Sequence, residues 1–234
     1  MSLIVAARPV ITYCDDATGE RMDLDAAGLG GWVARTASLL RDGCGLGAGG
    51  RVAVLLPPHW QTAAVVLGAW STGLTVAFRP WATAGLGVPA EDTAMDAVFV
   101  ARNRVGSWLE TVPEAPHRFV LGPGDEAPDG YRDYVAEVGR QPDEVPAYRA
   151  VLPDSAASTD GTTYQEWADL ARGVASSLGL RQGDRILVDA ALDSHPATWL
   201  LAPLTTGASI VICANRDRSR DQDRVAAEGI THVF

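Results

Sequence analysis

Asp193, Ser194 and His195 carry the three side-chain types of a nucleophile–base–carboxylate relay, but they stand consecutively. Neighbouring side chains diverge, and no Gly-x-Ser-x-Gly elbow holds Ser194 on a strained turn, so hydrolase chemistry is not expected of them. The three cysteines, Cys14, Cys44 and Cys213, are odd in number and far apart. Their spacing offers neither a disulfide framework nor a Cys-x-x-Cys metal pair. Cys213 closes the apolar run Ser209-Ile210-Val211-Ile212-Cys213 and is expected to be a buried small hydrophobe. No activating base is identifiable for a nucleophilic thiol. His59, His117 and His232 are isolated, without metal-ligand spacing. The glycines at 45, 47, 49 and 50 precede an apolar run instead of following one, the wrong order for dinucleotide binding. The expectation is no catalytic residue and no metal.

The formal net charge of −10 argues against nucleic acid, whose affinity comes from Lys and Arg neutralising phosphates. It also disfavours anionic membrane surfaces. The stretch after Met1 is too short and lacks the basic leader of a signal peptide. No run approaches the roughly 18–20 apolar residues of a membrane span. A cytoplasmic protein is expected by default.

The elements that must position any site follow a repeat. Residues 49–76 match 183–210 without a gap, with seven of twenty-eight positions identical, including Gly49/Gly183, Arg51/Arg185 and Thr72-Gly73/Thr206-Gly207. Each copy reads as a buried strand, an apolar helix, a glycine cap and a second strand. The strands are predicted over 51–56, 74–78, 185–188 and 208–213, and the helices over 61–71 and 196–204. Strands joined through helices are expected to be parallel. A helix is predicted over 22–42, capped by Asp23 or Asp25, and another over 164–178, capped by Thr162 or Thr163 with Glu166 in its first turn. Short strands are predicted at 97–100, 119–121 and 231–234, a helical turn within 105–109 and a helix over 131–138. The sign-alternating stretch 216–224 reads as a solvated loop and helix face. Tryptophans 32, 60, 70, 81, 108, 167 and 199 are expected to pack, Trp32 and Trp167 in matching places. The resulting fold is α/β, two pseudo-repeated parallel-sheet halves with flanking helices. The first half spans 1–150 and the second 151–234, packed as one globular unit.

The order of motifs resembles one family, the adenylate-forming enzymes: acyl-CoA synthetases, adenylation domains and luciferases. The likeness begins at Ile11-Thr12-Tyr13 and continues through Gly49-Gly50-Arg51-Val52-Ala53-Val54-Leu55-Leu56-Pro57 and Ala69 to Val76. It returns at Leu180 to Val188, Leu204 to Ile212 and Glu228-Gly229-Ile230-Thr231-His232-Val233-Phe234. The resemblance implies an N-terminal part of such an enzyme, and a phosphate loop rich in Ser, Thr and Gly and closed by Lys. That loop cradles ATP through backbone N–H groups and one cation. At its place the chain reads Thr159-Asp160-Gly161-Thr162-Thr163-Tyr164-Gln165-Glu166-Trp167. Thr159, Gly161, Thr162 and Thr163 keep the outline of the loop as the expected remnant of a cofactor site. Asp160 puts a carboxylate where phosphate would sit, and Trp167 stands at the Lys position. His195 falls near the family's acyl pocket and is the expected ligand-facing residue.

The resemblance further implies that the ribose-binding Asp and the catalytic Lys come after the point where this sequence stops. The expectation is an acyl-CoA synthetase-like pseudoenzyme that binds a small ligand or a protein partner. ATP, AMP or CoA is its ligand by resemblance only. The alternatives are a subunit of a split AMP-forming acid–thiol ligase, or a structural module that oligomerises with itself.

Overall fold

The computed structural model describes residues 8–78, 94–107, 112–124, 126–143, 151–192 and 195–234. Two compact units divide the chain: the described residues through Gly30 with Leu170–Phe234 form one, and Gly31–Asp169 the other. Helices α1 (Ala26–Ser38) and α4 (Tyr164–Ser177) run across the division. The division thus falls inside these two helices. The reason is a non-local pairing: β1 (Ile11–Asp15) lies parallel to β9 (Ser209–Ala214), in the register Ile11 with Ile210 through Asp15 with Ala214.

In the first unit, β2 (Arg21–Leu24), β8 (Arg185–Asp189) and β10 (His232–Val233) complete a sheet of order β10-β8-β9-β1-β2. All its pairings are parallel except β1 with β2. The helical connection from β8 to β9 is a π-helical turn, Ala197–Leu201, running into α5 (Ala202–Thr206). Helix α6 (Asp221–Glu228) precedes β10. In the second unit, β3 (Arg51–Leu55), α2 (Trp60–Ser71), β4 (Thr75–Phe78), β5 (Ala97–Ala101), β6 (His117–Leu121), β7 (Arg132–Asp133) and α3 (Tyr134–Gly139) build an all-parallel sheet of order β4-β3-β5-β6-β7.

The sequence repeat is a backbone repeat. Gly49 and Gly183 share a φ of +86°, and their N–H groups donate to the O of Gly73 (2.9 Å) and of Gly207 (3.2 Å). Gly73 and Gly207 are themselves left-handed, at +78° and +74°. Only glycine takes up these turns without strain. The N–H of Thr75 donates to Gly50 O as that of Ser209 does to Asp184 O, and that of Asp96 to Arg51 O as that of Thr231 to Arg185 O. The last pair extends the repeat to a third strand, β5 in one copy and β10 in the other.

Central strands carry the cores. Val52, Ala53, Leu55, Val98, Phe99 and Val100 are buried in one sheet, and Ile186, Leu187, Ile210 and Val211 in the other. Helices α1 and α2 cross closely where Gly68 faces Thr36: an added Cβ would lie 2.8 Å from Thr36 Cβ. Gly68→Ala is therefore expected to lower stability by about 1–3 kcal/mol through overpacking, read as the midpoint of chemical denaturation. An unchanged midpoint would show that the crossing yields.

His59 caps α2, its Nδ1 accepting from the N–H of Gln61 at 3.1 Å. Burial lowers its pKa to about 4. A depressed histidine stabilises the fold fully above its unfolded pKa, near 6.5. That contribution is lost as pH falls through the window between 6.5 and about 4. Stability should drop by up to about 3 kcal/mol across this window, less to the extent that solvent reaches the half-buried ring. His59→Asn keeps a cap and removes the titration, so its stability–pH curve should be flatter there.

Several sequence expectations are corrected. The helix predicted over 22–42 starts at Ala26, with Asp25 Oδ1 accepting from Gly28 N–H at 2.7 Å. Residues 21–24 are a strand instead, because Leu24 is buried by antiparallel pairing with Ile11. Of the helix predicted over 131–138, the start is strand β7, because Arg132 and Asp133 pair with β6. The helical turn predicted within 105–109 begins earlier: a 3-10 turn at Arg102–Arg104 runs into a turn at 105 and 106, closed by Ser107 N–H on Arg104 O at 3.2 Å; 108 and 109 lie outside the described residues. Trp81, Trp108, Asp193 and Ser194 also lie outside them. The stretch 216–224 is not simply solvated: the side chains of Arg216 and Arg224 are 7% and 10% exposed, held by carboxylates. The strands, the two repeat helices and α4 otherwise fall within one or two residues of expectation.

Candidate functional site

The segment before α4 folds back on itself. Ala157 and Ser158 run beside β4: Val76 N–H donates to Ala157 O (2.8 Å) and Thr159 N–H to Val76 O (3.3 Å). Gly161, at φ +92°, turns the chain, so that the N–H groups of Ala157 and Ser158 both reach Thr162 O. Gly161 N–H donates to Ser158 O at 3.0 Å.

Two carboxylates take the N–H groups that follow. Asp160 Oδ1 accepts from Thr162 N–H at 3.0 Å. Glu166 Oε2 accepts from Thr163 N–H (2.8 Å) and from its hydroxyl (2.9 Å), while Thr163 Oγ1 accepts from Glu166 N–H (3.2 Å). This is a reciprocal capping box. The Thr163 N–H and hydroxyl hold the Glu166 carboxyl below its usual range. Tyr164 and Gln165 N–H donate to Ser155 O and Pro153 O.

Beneath the turn lies an aromatic cluster. Trp167, 6% exposed, has its ring 5.4 Å from Trp70 and 5.5 Å from Phe78. Its indole N–H donates to Ser158 Oγ at 2.5 Å, and that of Trp70 to Ala157 O at 2.9 Å. The Tyr164 hydroxyl donates to Trp70 O (3.1 Å), and burial pushes its pKa up to about 12. Both indoles thus hold the turn from below.

Thr159, Gly161, Thr162 and Thr163 are therefore brought together in one turn. His195 belongs to the other unit. It is exposed at the start of the helical connection from β8 to β9, and its Nδ1 accepts from Ala197 N–H at 3.4 Å. The arrangement repeats that of His59 with a two-residue offset: each histidine's Nδ1 accepts from the N–H two residues further on. A cleft of about 290 Å³ in the first unit is lined by Arg8, Pro9, Gly183, Asp184, Gly207 and Ser209, at the amino ends of β8 and β9. Ligands of open α/β sheets bind at the opposite, carboxyl ends.

At those carboxyl ends stands a group of residues that local sequence reading did not find. Asp16, after β1, accepts from Arg224 Nη2 (2.5 Å) and from Asp217 N–H (2.7 Å). Burial opposes the Asp16 carboxylate, but these bonds outweigh it and its pKa is lowered. Arg216 Nη2 meets Asp221 at 2.7 Å and its Nη1 lies 3.9 Å from Asp189. Cys14 and Cys213 face each other beside Asp16. The charges are paired, which suits them to fixing the loops. Among the described residues no cluster of three or more metal-ligating side chains forms, and no helix is long and apolar enough to cross a membrane.

In comparison with known proteins, the chain superposes on an acyl-CoA synthetase from Brucella canis with a TM-score of 0.71 at 19% identity, covering 99% of this chain and 45% of that one. It superposes on the N-terminal domain of FACL13 from Mycobacterium tuberculosis with a TM-score of 0.67 at 15% identity, covering 96% and 58%. The chain thus spans about half the length of these solved structures. Its fold is that of the N-terminal part of acyl-CoA synthetases, as the motif order implied. No protein-family model matches it. A TIGR03089 family protein of Mycobacterium tuberculosis (strain ATCC 25618 / H37Rv) is 35% identical over 237 residues, covering 97% of this chain and 91% of the relative. At that identity over nearly its whole length, the chain belongs to the TIGR03089 family.

Proposed function

We propose that the chain is an acyl-CoA synthetase-like protein that binds a small ligand or a protein partner without forming an acyl-adenylate. One observation carries this reading. The N–H groups that a phosphate loop would offer, those of Gly161, Thr162 and Thr163, already donate to Ser158 O, Asp160 and Glu166. A phosphate would have to displace two carboxylates and then sit beside them. A like-charge contact near 4 Å is unfavourable by about 1–4 kcal/mol in partly exposed surroundings. Nor is there an ammonium to offset it, since all 19 basic residues of the sequence are arginine. The triphosphate of ATP does not fit this turn as it stands. The net charge of −10 fits a cytoplasmic protein that does not bind nucleic acid.

The test is thermal unfolding with magnesium ATP, AMP or CoA in separate arms. A ligand at a hundred times its Kd adds about 2.7 kcal/mol, several degrees for a chain of this size. The reading expects no shift with magnesium ATP at millimolar concentration; a shift of about 5 °C or more would overturn it. A shift with CoA or AMP alone would identify the ligand, and none in any arm would point to a protein partner.

A further inference from the structure

Cys14 on β1 and Cys213 on β9 are partners in the parallel register of their strands, so both side chains leave the sheet on one face. Neighbouring strands lie about 4.8 Å apart. That is inside the Cα separations of roughly 4.4–6.8 Å that a disulfide spans. Both residues are free thiols, and both pack with Leu187, Val211, Ile230 and Val225. Cys213 is fully buried and Cys14 half-buried. The Arg224 charge acts on both thiols, and its guanidinium is fixed by Asp16 at 2.5 Å. The Cys213 thiol is also 3.4 Å from Asp16 Oδ2. The pair is invisible to sequence spacing because 199 positions separate its members (213 − 14).

We propose that Cys14 and Cys213 form an exchange-active dithiol, a modification site for low-molecular-weight disulfides, with Cys14 the attacking thiolate and Cys213 the resolving thiol. The environments differ in the required sense. The hydrogen bond from Cys213 lowers the pKa of Cys14; burial opposes this and the Arg224 charge assists it. The same hydrogen bond and burial raise the pKa of Cys213. Reactive cysteines are the partly exposed ones beside a cation. Cys44 is an internal contrast: Arg132 Nη2 donates to its sulfur at 3.6 Å, yet burial pushes its thiol up.

The exchange balances in two steps. The Cys14 thiolate attacks one sulfur of a disulfide RSSR, the S–S bond breaks, RS⁻ leaves, and Cys14–S–S–R forms. Cys213 then gives up its proton, its thiolate attacks Cys14 Sγ, and the second RS⁻ leaves. Both RS⁻ take up the protons that the cysteines released. Two protein thiols are oxidised to one disulfide and RSSR is reduced to two RSH. The product ties β1 to β9.

The test treats the whole chain with oxidised glutathione at mildly alkaline pH. Alkylation under denaturing conditions and peptide mass mapping without reduction follow. The expected product is a Cys14–Cys213 linked peptide two hydrogens lighter than its parts, with Cys44 alkylated, and dithiothreitol reverses it. In Cys213→Ser the reaction stops at a Cys14–glutathione mixed disulfide; in Cys14→Ser, Cys213 remains alkylatable. Three results would overturn the proposal: modification of Cys44 before Cys14, a mixed disulfide persisting on Cys14 in the unaltered chain, or no reaction of Cys14 where the denatured chain reacts. The unaltered chain alone decides among these, so the outcome does not depend on how well the variants fold.

Discussion

Replacing Trp167 by alanine is expected to destabilise the chain by about 3–5 kcal/mol, lowering the thermal midpoint by roughly 10 °C. The side chain is 6% exposed and its ring packs on Trp70 at 5.4 Å and Phe78 at 5.5 Å. Removing it opens a cavity between two rings that other elements hold in place. It also deprives the buried Ser158 hydroxyl of the indole donor at 2.5 Å. Trp167→Lys tests the same position differently, because lysine is what the family resemblance places there. Its ammonium would be buried among aromatic rings with the neighbouring N–H groups already committed to Asp160 and Glu166. That variant is expected to be at least as unstable and to gain no affinity for ATP. A loss under about 1 kcal/mol for Trp167→Ala, in chemical denaturation, would mean that the cluster does not hold the turn.

Arg185→Ala is expected to cost about 3–5 kcal/mol, the range for breaking one side of a buried ion pair. Arg185 is 2% exposed; its guanidinium donates to Glu228 Oε2 (2.8 Å), Thr12 Oγ1 (2.8 Å), Ser209 Oγ and Pro9 O (both 3.3 Å). Its loss would leave three oxygens short of a donor and Glu228 with only Arg21, at 2.7 Å on the exposed side. Arg51, at the equivalent repeat position, is exposed, so Arg51→Ala should change stability by less than about 0.5 kcal/mol. The pH profile adds a second readout. Burial works against the Glu228 carboxylate, but hydrogen bonds from Arg21 and Arg185 outweigh it and lower the pKa. A lowered carboxylate stabilises the fold above its unfolded pKa, about 4.3, and the contribution is lost as pH falls below that. The acid-linked loss should shrink in Arg185→Ala. Arg185→Met combined with Glu228→Gln should recover much of the stability, because no uncompensated charge remains.

The contrast between these arginines shows where sequence reading ends. The repeat was legible because its marks are local: glycines with positive φ at 49, 73, 183 and 207, and apolar runs between them. The cap of α4 was legible for the same reason, since Thr163 and Glu166 lie three positions apart. Which arginine of a repeat pair is buried depends on Glu228, 43 positions further on, and on Thr12. The strand identity of 21–24 depends on an antiparallel partner, and the pairing of β1 with β9 joins opposite ends of the chain. Such contacts leave no periodic signature. The turn at 159–167 lay between the two cases. Its residues suggested a phosphate loop in outline, while the charge of Asp160 and the bulk of Trp167 pointed the other way. The hydrogen bonds follow the charge and the bulk.

The central claim is that this turn is closed on its own carboxylates and does not support adenylation. Carboxylate-dependent ATP–pyrophosphate exchange measures that most directly. With magnesium ATP, labelled pyrophosphate and a panel of short, medium and aromatic carboxylates, the purified chain is expected to show no exchange above the rate without carboxylate. Exchange that requires a carboxylate, and that is lost when Thr163 or Gly161 is replaced, would contradict the account.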